Sequence, residues 1–389
     1  MAGRRTIMGM SSDIAVPDSV SVLNVLGERI RAAAASASPL RIRGGGSKDF
    51  YAQALHGEIL DTTALSGVVS YEPSELVVTV LAGTPLVELE ALLATQGQCL
   101  PFEPPHFGRP GSSTVGGMVA SGLSGPARAS VGAVRDYVLG LKLINGRGEH
   151  LTFGGQVMKN VAGYDVSRLM VGAMGTLGLI SEVSLKVLPI APLEATLQFE
   201  CTQAQALSWL NAWGGQSLPL NASCWVEDQG AGTLFLRLRG ARAAVDAACK
   251  ALGGERKDNA KVAPDWQACR DQQLPWFKER SDAQDLWRLS VPQTTPAMPA
   301  MSAFGSPLIE WHGGLRWVRA DAAQAQQLRE AAQSAGGHAT LFVASHAHKQ
   351  GVTAVFDALK PPLNRIHREL KREFDPAGIF NPQRMYSDF

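Results

Sequence analysis

The chain has 389 residues, and its 36 Lys and Arg are balanced by 35 Asp and Glu. That length exceeds one ordinary hydrophobic core and predicts two domains, each able to bury a core of its own. The charge balance leaves no basic footprint for nucleic acid, and no apolar window is long enough to span a membrane.

Residues 1–16 read as a disordered leader. Val22, Leu26 and Ile30 then mark a helix, with Asp18 or Ser19 as its cap and Pro39 as its stop. LRIR (40–43) alternates as a short strand and runs into GGGSK, residues 44–48. Consecutive N–H groups in such a turn can converge on an anion, although an ordinary tight loop has the same composition. EILDTT, GVVSYE and ELVVTVLAG predict strands, the last of them buried. A helix follows Thr84-Pro85, with Leu86, Leu89 and Leu93 on its apolar face; Thr84 is either a donor to a ligand or a helix cap.

The segment from Pro104 to Asp136 is the most unusual. It places glycine at 111, 116, 117, 122, 125 and 132 among small polar side chains, so it cannot fill a core. Such a run brings bare backbone close to a large polar partner. His106, between Pro105 and Phe107, is either a base facing that partner or, more simply, a surface histidine in a rigid turn. A hairpin turning at Asn145-Gly146 comes next, then a short helix over 164–171 and an apolar strand from Leu179. Three glycine-rich turns between strands of one sheet would outline a long groove. A dinucleotide needs that much open backbone, and neither the G-x-G-x-x-G nor the G-x-x-x-x-G-K-[ST] order is present.

Composition changes after Pro189, and all eight tryptophans lie beyond it. LEATLQFE, TQAQALSWLNAWGG, the two strands of ASCWVEDQGAGTLFLRLRG and ARAAVDAACKALGG give the β-α-β-β-α order of a ferredoxin-like split unit. Residues 255–288 read mainly as helix, WRLSVPQTTPAMPA as extended chain, LIEWHGGLRWVRA as a hairpin, 321–337 as a helix and HATLFVAS as a strand. His346 and His348 would share one strand face, but no third metal ligand is set by spacing, so no metal is assigned. A final helix carries Leu363, Ile366, Leu370 and Phe374 on one face, with Arg365, Arg368, Lys371 and Arg372 facing solvent. The five cysteines, at 99, 201, 224, 249 and 269, contain no CxxC, which excludes a disulfide framework and an internal iron–sulfur relay and points to the cytoplasm.

Four ordered pieces carry a resemblance: RIRGGGSK (41–48), SYEPSELVVTVLAGTPLVELEALLATQG (70–97), STVGGMVASGLSGPARASVGAVRDYVLG (113–140) and KNVAGYDVSRLMVGAMGTLGLISEVSLKVLP (159–189). Together they resemble the FAD-binding domain of the vanillyl-alcohol-oxidase and para-cresol-methylhydroxylase type. With GGHATLF (336–342) and FDPAGIFNPQRMY (374–386), the whole chain is similar to the family of FAD-binding subunits of glycolate oxidase. The resemblance implies an α+β protein: a two-subdomain FAD-binding domain over 17–190, an α+β cap over 191–355 containing the split unit, and a tail over 356–389 packing back on the FAD domain.

By that resemblance Gly44, Gly45, Gly46, Ser47 and Lys48 wrap the pyrophosphate, while Pro105, Gly111, Thr114, Val115, Gly116 and Gly117 run along the cofactor. Ala120, Ser121, Gly125 and Gly132 continue the wall. Arg135, Asp136 and the strand from Gly178 to Val183 meet the flavin or adenine side, although Arg135 and Asp136 could equally pin their loop as an ion pair. Lys159, Asn160 and Tyr164 flank a further turn, and Tyr164 is either a cofactor contact or core. Ser47 and Lys48 stand where relatives with covalently tethered flavin carry a histidine, so the FAD is expected to be non-covalent.

The implied function is a redox subunit of a complex that oxidises glycolate, or another small 2-hydroxy acid such as D-lactate, to the 2-oxo acid. Its implied partners are a catalytic FAD-linked oxidase subunit and an iron–sulfur subunit, through which it would reach the inner membrane. No catalytic residue is assigned, because the H-x-x-D-G-N type pattern of the catalytic subunits is missing. Two alternatives stand beside this reading. One is a self-sufficient FAD oxidase, with Arg316, Arg319 and His312 as its candidates; the other is a non-catalytic scaffold.

Overall fold

The computed structural model describes residues 19–53, 55–155, 165–349 and 354–388. The predicted leader, together with Lys159, Asn160, Gly163 and Tyr164, lies outside the described residues.

The chain opens with the helix Ser19–Ser36, whose Leu26, Ile30 and Ala33 face a core shared with Leu40, Leu60, Leu81, Ile144 and Phe380. Leu40–Arg43 pairs in parallel with Glu58–Asp61, and the C-terminal Phe380 bridges Leu40 on its other side. A five-stranded antiparallel sheet follows, in the order Val68–Glu72, Val77–Leu81, Leu179–Lys186, Val138–Ile144, His150–Gly154. Val77–Leu81 is buried at every position, so its apolar run does not alternate. The helices Leu86–Thr95 and Val115–Ser121 contribute Leu86, Leu89, Leu93, Val115, Met118 and Val119 to the core of that sheet.

The second half is one antiparallel sheet of eight strands. Its first four strands run β-α-β-β-α-β through Leu193–Glu200, Gln203–Gly214, Leu220–Asp228, Ala231–Gly240, Arg242–Leu252 and Glu255–Arg256, giving the split-unit order 4-1-3-2. The other four, Asp285–Ser290, Leu308–Glu310, Leu315–Ala320 and His338–Val343, sit in the order 2-3-1-4. They form a second split unit, joined to the first edge to edge where Leu220–Asp228 pairs with Leu308–Glu310. Its first crossover is only the 3-10 turn Pro299–Phe304, because Pro292, Pro296 and Pro299 deny it an α-helix. The missing helix hides the second unit from sequence patterning.

The two halves share a core in which Tyr51, Leu123 and Met174 of the first meet Trp276, Trp311, Trp317 and Phe342 of the second. Hydrogen bonds cross the same boundary. Trp311 Nε1 donates to the Gly125 carbonyl at 2.9 Å, the His106 amide to Asp271 Oδ1 at 2.8 Å, and Arg237 to both oxygens of Glu103 at 2.6 and 2.7 Å.

The final helix, Leu363–Phe374, departs from expectation in two ways. Leu370 and Phe374 pack on the core of the five-stranded sheet, but Leu363 and Ile366 are exposed. Lys371 does not face solvent: it is buried, and its ammonium donates to Asp375 Oδ2 at 2.7 Å and to the carbonyls of Thr176 and Phe380, each at 2.8 Å. Asp375 in turn accepts the amides of Ile379 at 3.1 Å and Phe380 at 2.8 Å. Breaking a buried ion pair by removing one partner costs roughly 3–5 kcal/mol. Lys371→Met is therefore expected to lower stability by about that amount in urea unfolding, whereas Arg372→Met, on an exposed site, should change it by less than about 0.5 kcal/mol.

Candidate functional site: a glycine-lined cleft

The strand Leu40–Arg43 delivers residues 44–48 against the turn at 112–114. A Cβ on Gly45 would overlap the Ser112 carbonyl oxygen, and one on Gly44 would overlap the Thr114 side chain. Ser113 Oγ donates to Ser47 Oγ at 3.1 Å. Gly44, Gly45, Gly46, Ser47, Lys48, Thr114, Gly117, Ala120 and Ser121 thereby line one cleft of about 90 Å³, and Gly116 and Gly178 line an adjoining one of about 70 Å³.

The two glycine turns contribute differently. Among the described residues, no acceptor in the protein takes the amides of residues 44–48. The amides of 115–117 are all engaged, Val115 with the Thr84 carbonyl at 2.9 Å, Gly116 with the Ala82 carbonyl at 2.7 Å and Gly117 with Thr114 Oγ1 at 3.2 Å. The first loop thus offers donors, and the second offers room. Thr84 is neither cap nor ligand: its hydroxyl is buried against the Leu81 and Gly67 carbonyls at 2.7 and 3.1 Å.

Four cations and one carboxylate line the larger cleft: Arg41, Arg43, Lys48 and Arg384 against Asp49. Asp49 Oδ2 accepts from Arg41 at 2.5 Å and Arg43 at 2.9 Å. Lys48 has no carboxylate partner among the described residues; burial lowers its ammonium to about 8, with Asp271 opposing the shift. Burial likewise brings Arg384 down to about 10, against the pull of Asp49. Arg384 donates to the Lys48 carbonyl at 3.1 Å, and Asn381 joins the amide of Ile42 to the carbonyl of Met174, both at 2.7 Å. Free amides, absent Cβ atoms and unpaired cations in one cleft fit an extended ligand with a diphosphate. Arg41, Arg43, Asn381 and Arg384 escaped sequence reasoning because they converge only through the tail's return.

Other candidates lie apart from this cleft. Gly111 is in a left-handed turn with open space around it. Val115 and Val183 are core side chains. Gly132 ends the short helix Arg128–Val131. Asp136 accepts the Ala133 amide at 2.8 Å, and both it and Arg135 are exposed. His106 Nε2 lies 2.9 Å from a Glu90 carboxylate oxygen. His346 and His348 do not share a strand: they lie on the turn His346–Lys349, where His346 is exposed and His348 is buried against Asp285. No group of three such side chains suited to a metal occurs among the described residues.

Pro105 and Gly125 border a second, nearly filled space between the two halves, about 10 Å³, with Arg288, Glu310, Trp311 and Trp317. Arg288 and Arg128 both stack on Trp311, at 4.9 and 4.6 Å from its centroid. Arg316 and Arg319 do not reach it. Arg316 donates to the Pro296 and Thr295 carbonyls, and Arg319 stacks on Trp276 at 4.7 Å. His312 is held by Ser130 at 2.9 Å and Ser223 at 3.1 Å, and burial lowers it to about 4.

Glu310 accepts Trp317 Nε1–H at 2.7 Å, and burial pushes its carboxyl from 4.5 up to about 7. Below pH 4.5 both folded and unfolded forms are protonated; between there and pH 7 the unfolded chain loses a proton that the fold retains. Stability therefore falls as pH rises across that window, by about 3 kcal/mol, and is level above it. Glu310→Gln is expected to remove this fall, as read from urea unfolding at pH 5 and pH 8.

A family model described as an FAD binding domain matches residues 24–154. The glycolate oxidase subunit GlcE of Escherichia coli (strain K12) is 44% identical over 93% of this chain and 96% of its own length. The glycolate oxidase subunit GlcD of Bacillus subtilis (strain 168) is 33% identical over 36% of this chain and 29% of its own. Among solved structures, p-cresol methylhydroxylase with substrate bound superposes with a TM-score of 0.66 at 12% identity, covering 95% of this chain and 88% of that one. FAD is the cofactor, and the fold is of the p-cresol-methylhydroxylase type. The chain belongs to the family of glycolate oxidase subunits that includes GlcE.

Proposed function

We propose that this chain is the FAD-carrying redox subunit of a complex that oxidises glycolate, or a comparably small 2-hydroxy acid such as D-lactate, to the 2-oxo acid. A catalytic FAD-linked oxidase subunit and an iron–sulfur subunit are its partners. The observation that carries this reading is the 44% identity to the glycolate oxidase subunit GlcE over 93% of the chain, and we seat the FAD diphosphate in the cleft of free amides at residues 44–48, closed by Asn381 and Arg384. When bound, FAD supplies a two-electron acceptor for the alcohol carbon. The chain's own contribution is to hold it. The amides of 44–48, with Lys48 and Arg384, oppose diphosphate charge, and Gly116, Gly117 and Ala120 leave space for the body of the molecule. Ser47 and Lys48 provide no tether, so the binding is non-covalent.

The partner subunits are inferred from the relationship to GlcE, and two features of the chain agree with them. The five cysteines contain no CxxC, which agrees with an iron–sulfur relay carried by another chain. Arg316, Arg319 and His312, the residues a self-sufficient oxidase would use, spend their polar atoms on neighbours. Among the described residues no helix is long and apolar enough to cross a membrane, and we place the chain in the cytoplasm, reaching the inner membrane through its partners.

Purified chain is expected to show a flavin spectrum, with glycolate bleaching it only when the co-purifying subunits are present; bleaching of the isolated chain would favour self-sufficiency. Gly45→Val should empty the cleft of flavin, because its Cβ meets the Ser112 backbone, whereas Gly214→Ala, exposed and with open space where the Cβ would sit, should retain it. Flavin content per chain after gel filtration checks both.

A further inference from the structure

A separate concavity of about 280 Å³ lies in the second half, between the helix Asn259–Arg270 with its following turn and the strands Leu220–Asp228, Ala231–Gly240 and Leu308–Glu310. Its walls are Phe235, Trp266, Leu274 and Trp276, with the buried thiols of Cys224 and Cys269 beneath. The polar ends of these aromatics are already spent inside the chain. Trp266 Nε1 donates to Thr196 Oγ1 at 3.0 Å and Trp276 Nε1 to the Ser306 carbonyl at 3.2 Å. Arg237 and Arg319 stack on the two indoles, each at 4.7 Å. The walls therefore offer an occupant apolar contact and little else, which is wrong for a small hydroxy acid.

The rim has the opposite character. Glu227, Asp228, Asp265 and Glu279 all border the opening and all are exposed. Glu279 lies 3.8 Å from Arg319, but the other three have no cation within 4 Å among the described residues. A chain of net charge +1 does not produce such a cluster through overall acidity. An apolar hollow whose rim carries four carboxylates, three of them unpaired among the described residues, matches a side chain that is greasy at its tip and has positive charge beside it. The size agrees: a cavity of roughly 150 Å³ admits a benzene ring, so this one takes an aromatic or branched anchor with space for its neighbour.

We infer that this groove seats a segment of another subunit of the oxidase, carrying an aliphatic or aromatic anchor flanked by lysine or arginine. The inference rests on the multi-subunit reading above. Two variants of the full chain test it, each co-expressed with the other subunits and recovered through a tag on this chain. Val226→Trp fills the groove from a half-buried strand position. Asp228→Lys combined with Asp265→Lys reverses the rim on exposed sites, and settles the matter should the tryptophan variant fail to fold.

The expected result is at least a tenfold loss of co-purifying subunits with flavin content and melting temperature unchanged. Recovery of the other subunits at wild-type level with the rim variant overturns the inference. So does native mass spectrometry of the isolated wild-type chain showing an organic molecule that Val226→Trp displaces. If the wild-type chain itself recovers no other subunit, the multi-subunit reading falls and the groove's assignment falls with it, which is a different result from assembly that ignores both variants.

Discussion

The structure depends on one approach of backbone to backbone, where residues 44–46 lie against 112–114 with no Cβ between them. The two segments come from different local units, one following a parallel strand pair and the other preceding the short helix Val115–Ser121. Side chains on the first turn would separate them and divide the cleft. Holding them together leaves the amides of 44–48 without acceptors among the described residues, an arrangement that is costly unless water or a ligand supplies the missing partner. The site is therefore built around a debt in hydrogen bonding that a diphosphate can discharge.

That approach is secured from far along the chain. Asn381 ties the strand before the first turn to the Met174 carbonyl, and Arg384 holds the carbonyl of Lys48. The tail reaches this position because Lys371 and Asp375 form a buried node whose other bonds go to Thr176, Ile379 and Phe380. The second half is fastened through a different device. Trp311 and His312 are consecutive non-glycine residues with φ of 53° and 54°, a conformation that needs external support. Both are bonded across the boundary, Trp311 to Gly125 and His312 to Ser130, so the strain coincides with the contact that fixes the two halves.

What the sequence disclosed follows from the range of each signal. Gly44 to Gly46 and Gly116-Gly117 are legible because a missing Cβ is a property of the residue itself. The strands at 40–43 and 77–81 and the helix after Pro85 are likewise local patterns. Lys371 was misread because a charged residue among Arg368 and Arg372 looks solvated, and only the return of residues 376–384 buries it. His346 and His348 were misread for a related reason: the strand His338–Val343 stops before them, and Asp285 of a neighbouring strand takes one imidazole. The second split unit escaped because three prolines replaced its first helix, leaving a topology that only the strand order reveals.

Net charge conceals the most informative feature of the cleft. A balance of 36 against 35 suggests a neutral groove, yet Arg41, Arg43, Lys48 and Arg384 meet there with Asp49 as the lone carboxylate. Asp49 is shared by Arg41 and Arg43, and neither Lys48 nor Arg384 has a carboxylate within 4 Å among the described residues. Their lowered basicity shows the consequence: burial disfavours both charges, and Arg41 adds repulsion at Arg384. An anion entering the cleft relieves that repulsion and satisfies the free amides in the same step. Binding and folding are thereby linked, since a ligand that prefers the folded chain stabilises it in proportion to its occupancy. A diphosphate bound in this cleft would therefore help hold the strand Leu40–Arg43, the 112–114 turn and the C-terminal tail in register.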